Sequence, residues 1–199
     1  MMDIRQFFFK SRSYTPIPIV CLIIYFSEQS TTYLLFGVLL ISFGELIRIN
    51  AVRYAGGATR TRSVGAPFLC TSGPYSYTRN PLYCGNVIIY LGFVFFSGGI
   101  FMWEISILTI LFFVFQYYHI ISLEEETLID IFGYDYETYK KNVPKLFPKL
   151  KQWKNKNKIE PLNIYKTIKT EKRTLQNIFI ISAIIIYKKE IVEYLYLAL

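Results

Sequence analysis

The stretch GPYSYTRNPLYCGN, residues 73–86, joins a polar turn to the start of an apolar segment. Asn80 followed by Pro81 is typical of a helix start, because Asn can cap free backbone amides and Pro is tolerated at the first helical position. Arg79 lies directly before that start, so a guanidinium and the positive pole of the helix come together. The stretch therefore predicts an apolar helix whose first turn can bind a carboxylate.

A second stretch, LEEETLIDIFGYDYETY at residues 123–139, places acidic side chains at the end of another apolar segment. Charged groups at a membrane boundary are costly unless they bind something or each other. Within the first stretch, Tyr83 and Asn86 recur at helical spacing and extend the polar surface. Adjacent helical positions point in different directions, so three consecutive glutamates cannot all face one pocket. We therefore expect a site that uses at least one of Glu124, Glu125 and Glu126.

The composition is that of a membrane protein. Hydrophobic residues make up 53% of the chain and charged residues 18%, whereas about a quarter of a soluble domain is charged. The net charge of +8 comes from basic residues in the loops and the tail. Attraction to anionic lipid headgroups explains this charge better than nucleic-acid binding, so we expect membrane lipids and no nucleic acid as partners. The three cysteines lack metal-ligand spacing, and no metal site is predicted.

Four apolar segments predict an all-α fold, an integral membrane helical bundle that forms a single domain over residues 1–199. The predicted spans cover roughly residues 14–26, 31–49, 81–96 and 100–122. Short connections predict two transmembrane hairpins, followed by cytoplasmic or interfacial helices near the C-terminus. The parts are a first hairpin, a cytoplasmic loop, a second hairpin, and a polar segment with an interfacial tail, at residues 1–50, 51–80, 81–122 and 123–199.

Small residues recur on two of the predicted spans. Gly37 and Gly44 on the second span are seven residues apart, as are Gly85 and Gly92 on the third. This spacing keeps each pair on one helix face, where the missing side chains let two backbones approach closely. We therefore expect close helix packing along these faces.

The basic residues predict the orientation of the bundle in the membrane. The two short loops within the hairpins contain no Lys or Arg, and many lysines follow the fourth span. By the positive-inside rule, both ends of the four-span core and the long middle loop lie in the cytoplasm. The other basic residues behind this prediction are Arg5, Lys10 and Arg12 before the first span, and Arg48, Arg53, Arg60, Arg62 and Arg79 between the second and third.

The tail contains one more apolar run, residues 178–187, which is short for a membrane span and is followed by charged residues. It can lie in the membrane interface or form a short fifth span. We favour the interface.

The two polar stretches resemble the isoprenylcysteine carboxyl methyltransferase and phospholipid methyltransferase superfamily of integral membrane enzymes. The resemblance is carried by two ordered half-motifs at matching spacing, and Asn80 stands where the family usually has a histidine. The first half comprises Gly73, Pro74, Tyr75, Arg79, Asn80, Pro81, Tyr83 and Gly85. The second comprises Glu124, Glu125, Leu128, Phe132, Gly133, Tyr136, Tyr139 and Pro144.

The resemblance implies S-adenosylmethionine as the cofactor, held by the polar C-terminal part of the chain at residues 123–199. It assigns catalytic roles to Arg79 and Glu125. Arg79 suits the carboxylate of the donor, while an acidic residue suits its ammonium group or ribose. Aromatic faces can pack on the adenine or beside the sulfonium. The expected cofactor-binding residues are Tyr75, Arg79, Asn80, Pro81, Tyr83, Gly85, Asn86, Glu124, Glu125 and Tyr136.

The predicted function is methyl transfer to a lipophilic acceptor at the cytoplasmic face of a membrane. The acceptor is a prenylcysteine-like carboxylate or a lipid amine, and for an amine Glu125 is the candidate base. The lysine-rich, disulfide-free chain leans toward a bacterial inner membrane, and no protein partner is predicted. Two alternatives stay open: an NADPH-dependent membrane reductase of the enone or sterol type, and a non-catalytic membrane scaffold that retains the motif.

Overall fold

A computed structural model describes residues 3–28, 31–56, 64–154 and 159–198, and within them every regular element is helical. A short 3-10 helix, Gly73–Ser76, precedes the fourth α-helix. The predicted all-α class is confirmed. The α-helices are α1 Ile4–Ser11, α2 Ile17–Tyr25, α3 Thr31–Ala55, α4 Pro81–Ser97, α5 Met102–Asn142, α6 Ile164–Ile186 and α7 Lys188–Ala198.

Two of these helices, α3 and α5, are long and apolar enough to cross a membrane, and α4 is a shorter apolar helix. Their outer faces carry many large apolar side chains that are exposed. Soluble proteins rarely leave contiguous apolar surface of this size exposed to water. The chain is therefore a membrane helical bundle, as predicted. Side chains more than half exposed on α3 include Leu35, Leu39, Phe43 and Leu46, and on α5 Ile107 and Leu111.

The predicted close packing at glycines is confirmed between α3 and α4. A Cβ atom on Gly44 would lie 2.8 Å from the carbonyl oxygen of Gly85, and one on Gly92 would lie 2.8 Å from the backbone nitrogen of Ile41. Such separations are too short for any real side chain. The two helices therefore pack backbone against backbone, which holds the start of α4 in a fixed position beside α3.

We expect Gly44→Leu to destabilise the bundle, because a larger side chain must separate α3 from α4. Overpacking of a tight contact costs about 1–3 kcal/mol or more. Denaturant unfolding of the purified protein in detergent measures this loss. Ser42→Leu is the matched control, since Ser42 is exposed on the same helix. Equal stability of the two variants would contradict the close packing.

The two ends of the bundle differ as the sequence predicts. Helix α1 packs against α5 at the end where the Nη1 of Arg5 donates to the Oε2 of Glu126 at 2.7 Å. The short loops meet at the opposite end, where the amide of Glu28 donates to the carbonyl of Ser97 at 3.0 Å. The direction of the bundle across the membrane stays a prediction. Two of the basic residues behind it, Arg60 and Arg62, lie outside the described residues.

The first predicted span is shorter than expected. Only Ile17–Tyr25 is helical, and these 9 residues rise about 13 Å, less than half of the roughly 30 Å hydrocarbon core. Helix α2 packs against α4, α5 and α6, whereas the main partner of α3 is α4. Residue Pro16 caps α2, and prolines favour a helix start over a helix interior. This explains the turn between α1 and α2.

The tail packs against the bundle, and its favoured interfacial location stays a prediction. The stretch at residues 178–187 lies along the bundle, and Ile185 is only 1% exposed within an apolar cluster that includes Ile19 and Ile23. Beyond it, the Nζ of Lys188 donates to the carbonyl of Tyr25 at 2.5 Å. Isoleucines at helical spacing give this stretch an apolar face. On that face Ile185 is buried and Ile178 and Ile181 are partly buried, whereas Phe179 and Ile180 are exposed.

Candidate functional site

The start of α4 carries the first half of the predicted site. Pro81 is the first helical residue, as expected, and Asn80 stands at the N-cap position. The Asn80 side chain, however, does not cap the helix amides. Its Nδ2 instead donates to the carbonyl of Lys145 at 2.9 Å. The expected capping by this side chain is therefore wrong, because a carbonyl from the chain beyond α5 competes for the amide.

Backbone hydrogen bonds join the two halves of the sequence pattern. The amide of Arg79 donates to the carbonyl of Pro144 at 2.9 Å, and the amide of Trp153 donates to the carbonyl of Ser76 at 3.1 Å. The segment after α5 is thus fastened along the turn that leads into α4. A further backbone bond runs from the amide of Lys149 to the carbonyl of Tyr77. In addition, the side-chain hydroxyls of Thr78 and Tyr139 donate to the carbonyls of Leu146 and Tyr75.

The Arg79 guanidinium is paired with the Glu125 carboxylate. Its Nη2 and Nε donate to the Oε1 of Glu125 at 2.5 and 3.1 Å, and both side chains are at least nine-tenths buried. Its Nη1 donates to the carbonyls of Lys140 and Val143 at 3.1 and 2.6 Å. The Nζ of Lys145 lies 3.6 Å from the Oε2 of Glu125. Arg79 therefore fixes Glu125 and the end of α5 against the start of α4.

The three glutamates have different surroundings. Glu124 accepts a hydrogen bond from the hydroxyl of Tyr83 at 2.9 Å through its Oε1. Among the described residues, no donor reaches its Oε2. Glu126 is turned away and pairs with Arg5. Two of the three glutamates thus face the site, which agrees with the expectation that not all three can.

Asn86 belongs to a buried polar network that the sequence analysis did not foresee. Its Oδ1 accepts from the Nη1 of Arg48, and its Nδ2 donates to the hydroxyl of Tyr117 at 2.9 Å. The Nη2 of Arg48 donates to the Oε2 of Glu171 on α6 at 2.7 Å. Arg48 also pairs with Glu45 on its own helix, with 3.6 Å between its Nε and the Oε2 of Glu45. In the sequence Glu171 appears only as one acidic residue at helical spacing from isoleucines such as Ile178 and Ile185, which does not reveal its partner.

A cavity of about 990 Å³ opens between these elements. Gly85 is the predicted site residue that does not line it, because its bare α-carbon is covered by Arg48 and Gly44. The cavity also reaches Tyr117, Tyr139 and Glu171, which the sequence analysis did not assign to the site. The predicted residues in its wall are Tyr75, Arg79, Asn80, Pro81, Tyr83, Asn86, Glu124, Glu125 and Tyr136.

Two titratable groups in the loop before α4 are held neutral by burial. Burial raises the pKa of the Tyr75 phenol well above its usual value. Burial likewise raises the pKa of the Cys70 thiol to about 12. At neutral pH the Cys70 thiol is therefore protonated and is not a nucleophile. Neither group adds charge to the cavity, so its charge comes from the arginines, lysines and glutamates.

Comparison with known proteins identifies one family. The sequence model of the phospholipid methyltransferase family matches residues 32–135. This region runs from the start of α3 past the kink at Gly133 in α5 and contains both Arg79 and Glu125. No curated protein and no solved structure matches the chain.

Proposed function

Because the chain belongs to the phospholipid methyltransferase family, we propose that it transfers a methyl group from S-adenosylmethionine to a lipophilic acceptor. The family comprises membrane methyltransferases that act on lipid-like substrates. The observation that carries the proposal is the buried pair of Arg79 and Glu125 in the wall of a cavity of about 990 Å³. Pockets of this size hold small molecules and cofactors.

The aromatic and acidic groups of the wall fit the chemistry of the proposed donor. Its sulfonium and ammonium are cationic, and its adenine is a flat aromatic ring. The rings of Tyr75, Tyr83 and Tyr136 suit the sulfonium and adenine through cation–π attraction and stacking. The Glu124 carboxylate suits the ammonium or the ribose hydroxyls. These residues would hold the donor in the polar part of the cavity, beside the start of α4.

The start of α4 fits the remaining group of the donor, its carboxylate. The Asn80 side chain leaves the first helix amides uncapped, and Asn80, Pro81 and Leu82 all line the cavity. Backbone amides at a helix start favour a bound anion. Arg79 would hold the start of α4 in place rather than bind the carboxylate itself, since its nitrogens already donate to Glu125 and to two carbonyls.

Methyl transfer requires alignment of the reacting groups and exclusion of water. When bound, S-adenosylmethionine supplies an electrophilic methyl group on its sulfonium. Arg79 holds Glu125 and the end of α5 in place, which keeps the cavity wall rigid. A carboxylate acceptor needs no base, whereas an amine does. Glu124 is the better base of the two carboxylates, because Glu125 is held by the cationic Arg79, whereas the donor to Glu124 is the neutral hydroxyl of Tyr83.

The acceptor reaches the site from the membrane. The proposed acceptors are a prenylcysteine-like carboxylate and a lipid amine, both of which combine a polar head with an apolar tail. We propose that the site lies at the cytoplasmic face, following the distribution of basic residues, and that the membrane is a bacterial inner membrane, following the lysine-rich, disulfide-free sequence.

The direct test is transfer of a labelled methyl group from S-adenosylmethionine to a total lipid extract by the purified protein in lipid. We expect a labelled lipid product, whose identification gives the acceptor. Arg79→Ala and Glu125→Gln should abolish the label, and Arg5→Met, which breaks an exposed ion pair, should retain it. Absence of any labelled lipid, or equal labelling by Arg79→Ala, would refute the proposal.

A further inference from the structure

Helix α6 forms a wall of the cavity although it lies outside the segment that the family model matches. The matched segment ends at residue 135, and α6 is Ile164–Ile186. One face of α6 meets the cavity, with polar residues nearer its start and isoleucines further along. The residues of α6 that line the cavity are Glu171, Arg173, Thr174, Asn177, Ile178 and Ile181.

A buried ion pair sets the rotation of α6. Glu171 is 1% exposed, and its Oε2 accepts from the Nη2 of Arg48 at 2.7 Å. The same nitrogen donates to the Oγ1 of Thr174 at 3.2 Å. Charges at membrane depth must be paired, so this contact tolerates little rotation of the helix. The rotation that brings Glu171 to Arg48 also turns Ile178 and Ile181 toward the cavity.

The opposite wall of this part of the cavity is apolar. Ile89 and Phe93 on α4 and Phe113 on α5 line it, and all three are at most 3% exposed. The cavity therefore changes character along its length. Arg79 and the glutamates line it beside the start of α4, and Arg48 and Glu171 lie further along. The part beyond them is mainly apolar, with Tyr90 and Asn177 as the polar side chains there.

Resting on the proposed function, we propose that α6 completes an acceptor chamber, by which we mean the mainly apolar part of the cavity between Ile178 and Ile181 on α6 and Phe93 on α4. The hydrocarbon tail of an amphiphilic acceptor lies between Ile178, Ile181 and Phe93, and its polar head lies at the level of Arg48 and Glu171. The head then faces Tyr83 and Glu124 in the polar part of the cavity, beside the start of α4. Burial of the tail contributes about 0.8 kcal/mol per methylene group. Ile181 therefore limits the tail length that the protein accepts.

The proposal predicts a change in chain-length preference on substitution of Ile181. Ile181→Trp fills the acceptor chamber and should lower the rate of methyl transfer to long-chain acceptors at least about 10-fold relative to short-chain ones. The matched control is Ile180→Trp, because Ile180 is the neighbouring residue and is 52% exposed. The control should keep the wild-type chain-length profile. An unchanged chain-length profile for Ile181→Trp, or the same shift in profile for Ile180→Trp, would contradict the proposed acceptor chamber.

A binding measurement separates this inference from the proposed function. The probe is a phosphatidylethanolamine with a photoreactive group at the end of its alkyl chain. We expect cross-links at Phe93 or Phe113, which are each 1% exposed and out of reach of bulk lipid. Ile181→Trp should lose these cross-links, and Ile180→Trp should keep them. Cross-links without methyl transfer would retain the chamber and refute the methyltransferase. Transfer by the wild type without cross-links at either residue would refute the chamber alone.

Discussion

Arg79→Met is expected to lower the rate of methyl transfer about 100-fold or more. The substitution removes the donors that bind Glu125, Lys140 and Val143. The start of α4 is then no longer hydrogen-bonded to α5 through this side chain. A displacement of about 1 Å in an aligned site can lower the rate 100-fold. Initial rates with labelled S-adenosylmethionine at saturating lipid measure the loss.

Two further variants decide what the Arg79 result means. Arg79→Lys keeps the charge but cannot bind the carboxylate and two carbonyls in the same planar geometry, so we expect an intermediate rate. Arg5→Met removes an exposed ion pair at the same end of the bundle, and it should behave as the wild type. A wild-type rate for folded Arg79→Met would show that the hydrogen bonds of Arg79 are not needed for the reaction.

Arg48→Met is expected to give the largest loss of stability. Arg48 pairs with Glu171 and Glu45, whose side chains are 1% and 8% exposed. Removal of one partner from a buried ion pair typically costs about 3–5 kcal/mol, because the other charge stays buried without compensation. Denaturant unfolding in detergent, followed by circular dichroism, measures the change in the free energy of unfolding.

The double variant Arg48→Met, Glu171→Met tests the cause of that loss. If an uncompensated carboxylate is responsible, removal of Glu171 in the same chain should restore part of the stability. Additive losses in the double variant would contradict the ion pair. A small effect of Arg48→Met alone would show that α6 is held by its apolar contacts and not by this pair.

The sequence predicts those parts of the fold that follow from local patterns. The helix that begins at Pro81 follows from the restricted backbone of proline. The close contact of α3 with α4 follows from glycines spaced on one face of each helix, such as Gly44 and Gly92. The end of the bundle that carries Arg79 and Glu125 follows from the position of each residue at the edge of an apolar segment.

The remaining parts depend on long-range contacts that local patterns do not specify. Asn80 has the side chain of a helix cap, but its partner is the carbonyl of Lys145, far along the chain. The run that ends near Tyr187 has a composition equally suited to an interface and to a bundle core. In the structure Ile185 packs in a cluster with Ile19 and Ile23, and Glu171 on the same helix pairs with Arg48, 123 residues away in sequence.

The site residues divide in the same way. The site residues at the start of α4 and around Glu125 could be predicted, because each group lies at the edge of an apolar segment of the sequence. Tyr117 and Glu171 could not, since each appears in the sequence as one polar residue within a helical pattern. Gly85 carried a motif position, yet its role is to admit the α3 backbone.

The most direct measurement is calorimetric titration of the purified protein in lipid with S-adenosylmethionine and, separately, with NADPH. We predict saturable binding of S-adenosylmethionine that Arg79→Met weakens, and no saturable binding of NADPH. Saturable binding of NADPH without binding of S-adenosylmethionine would contradict the methyltransferase and favour a reductase.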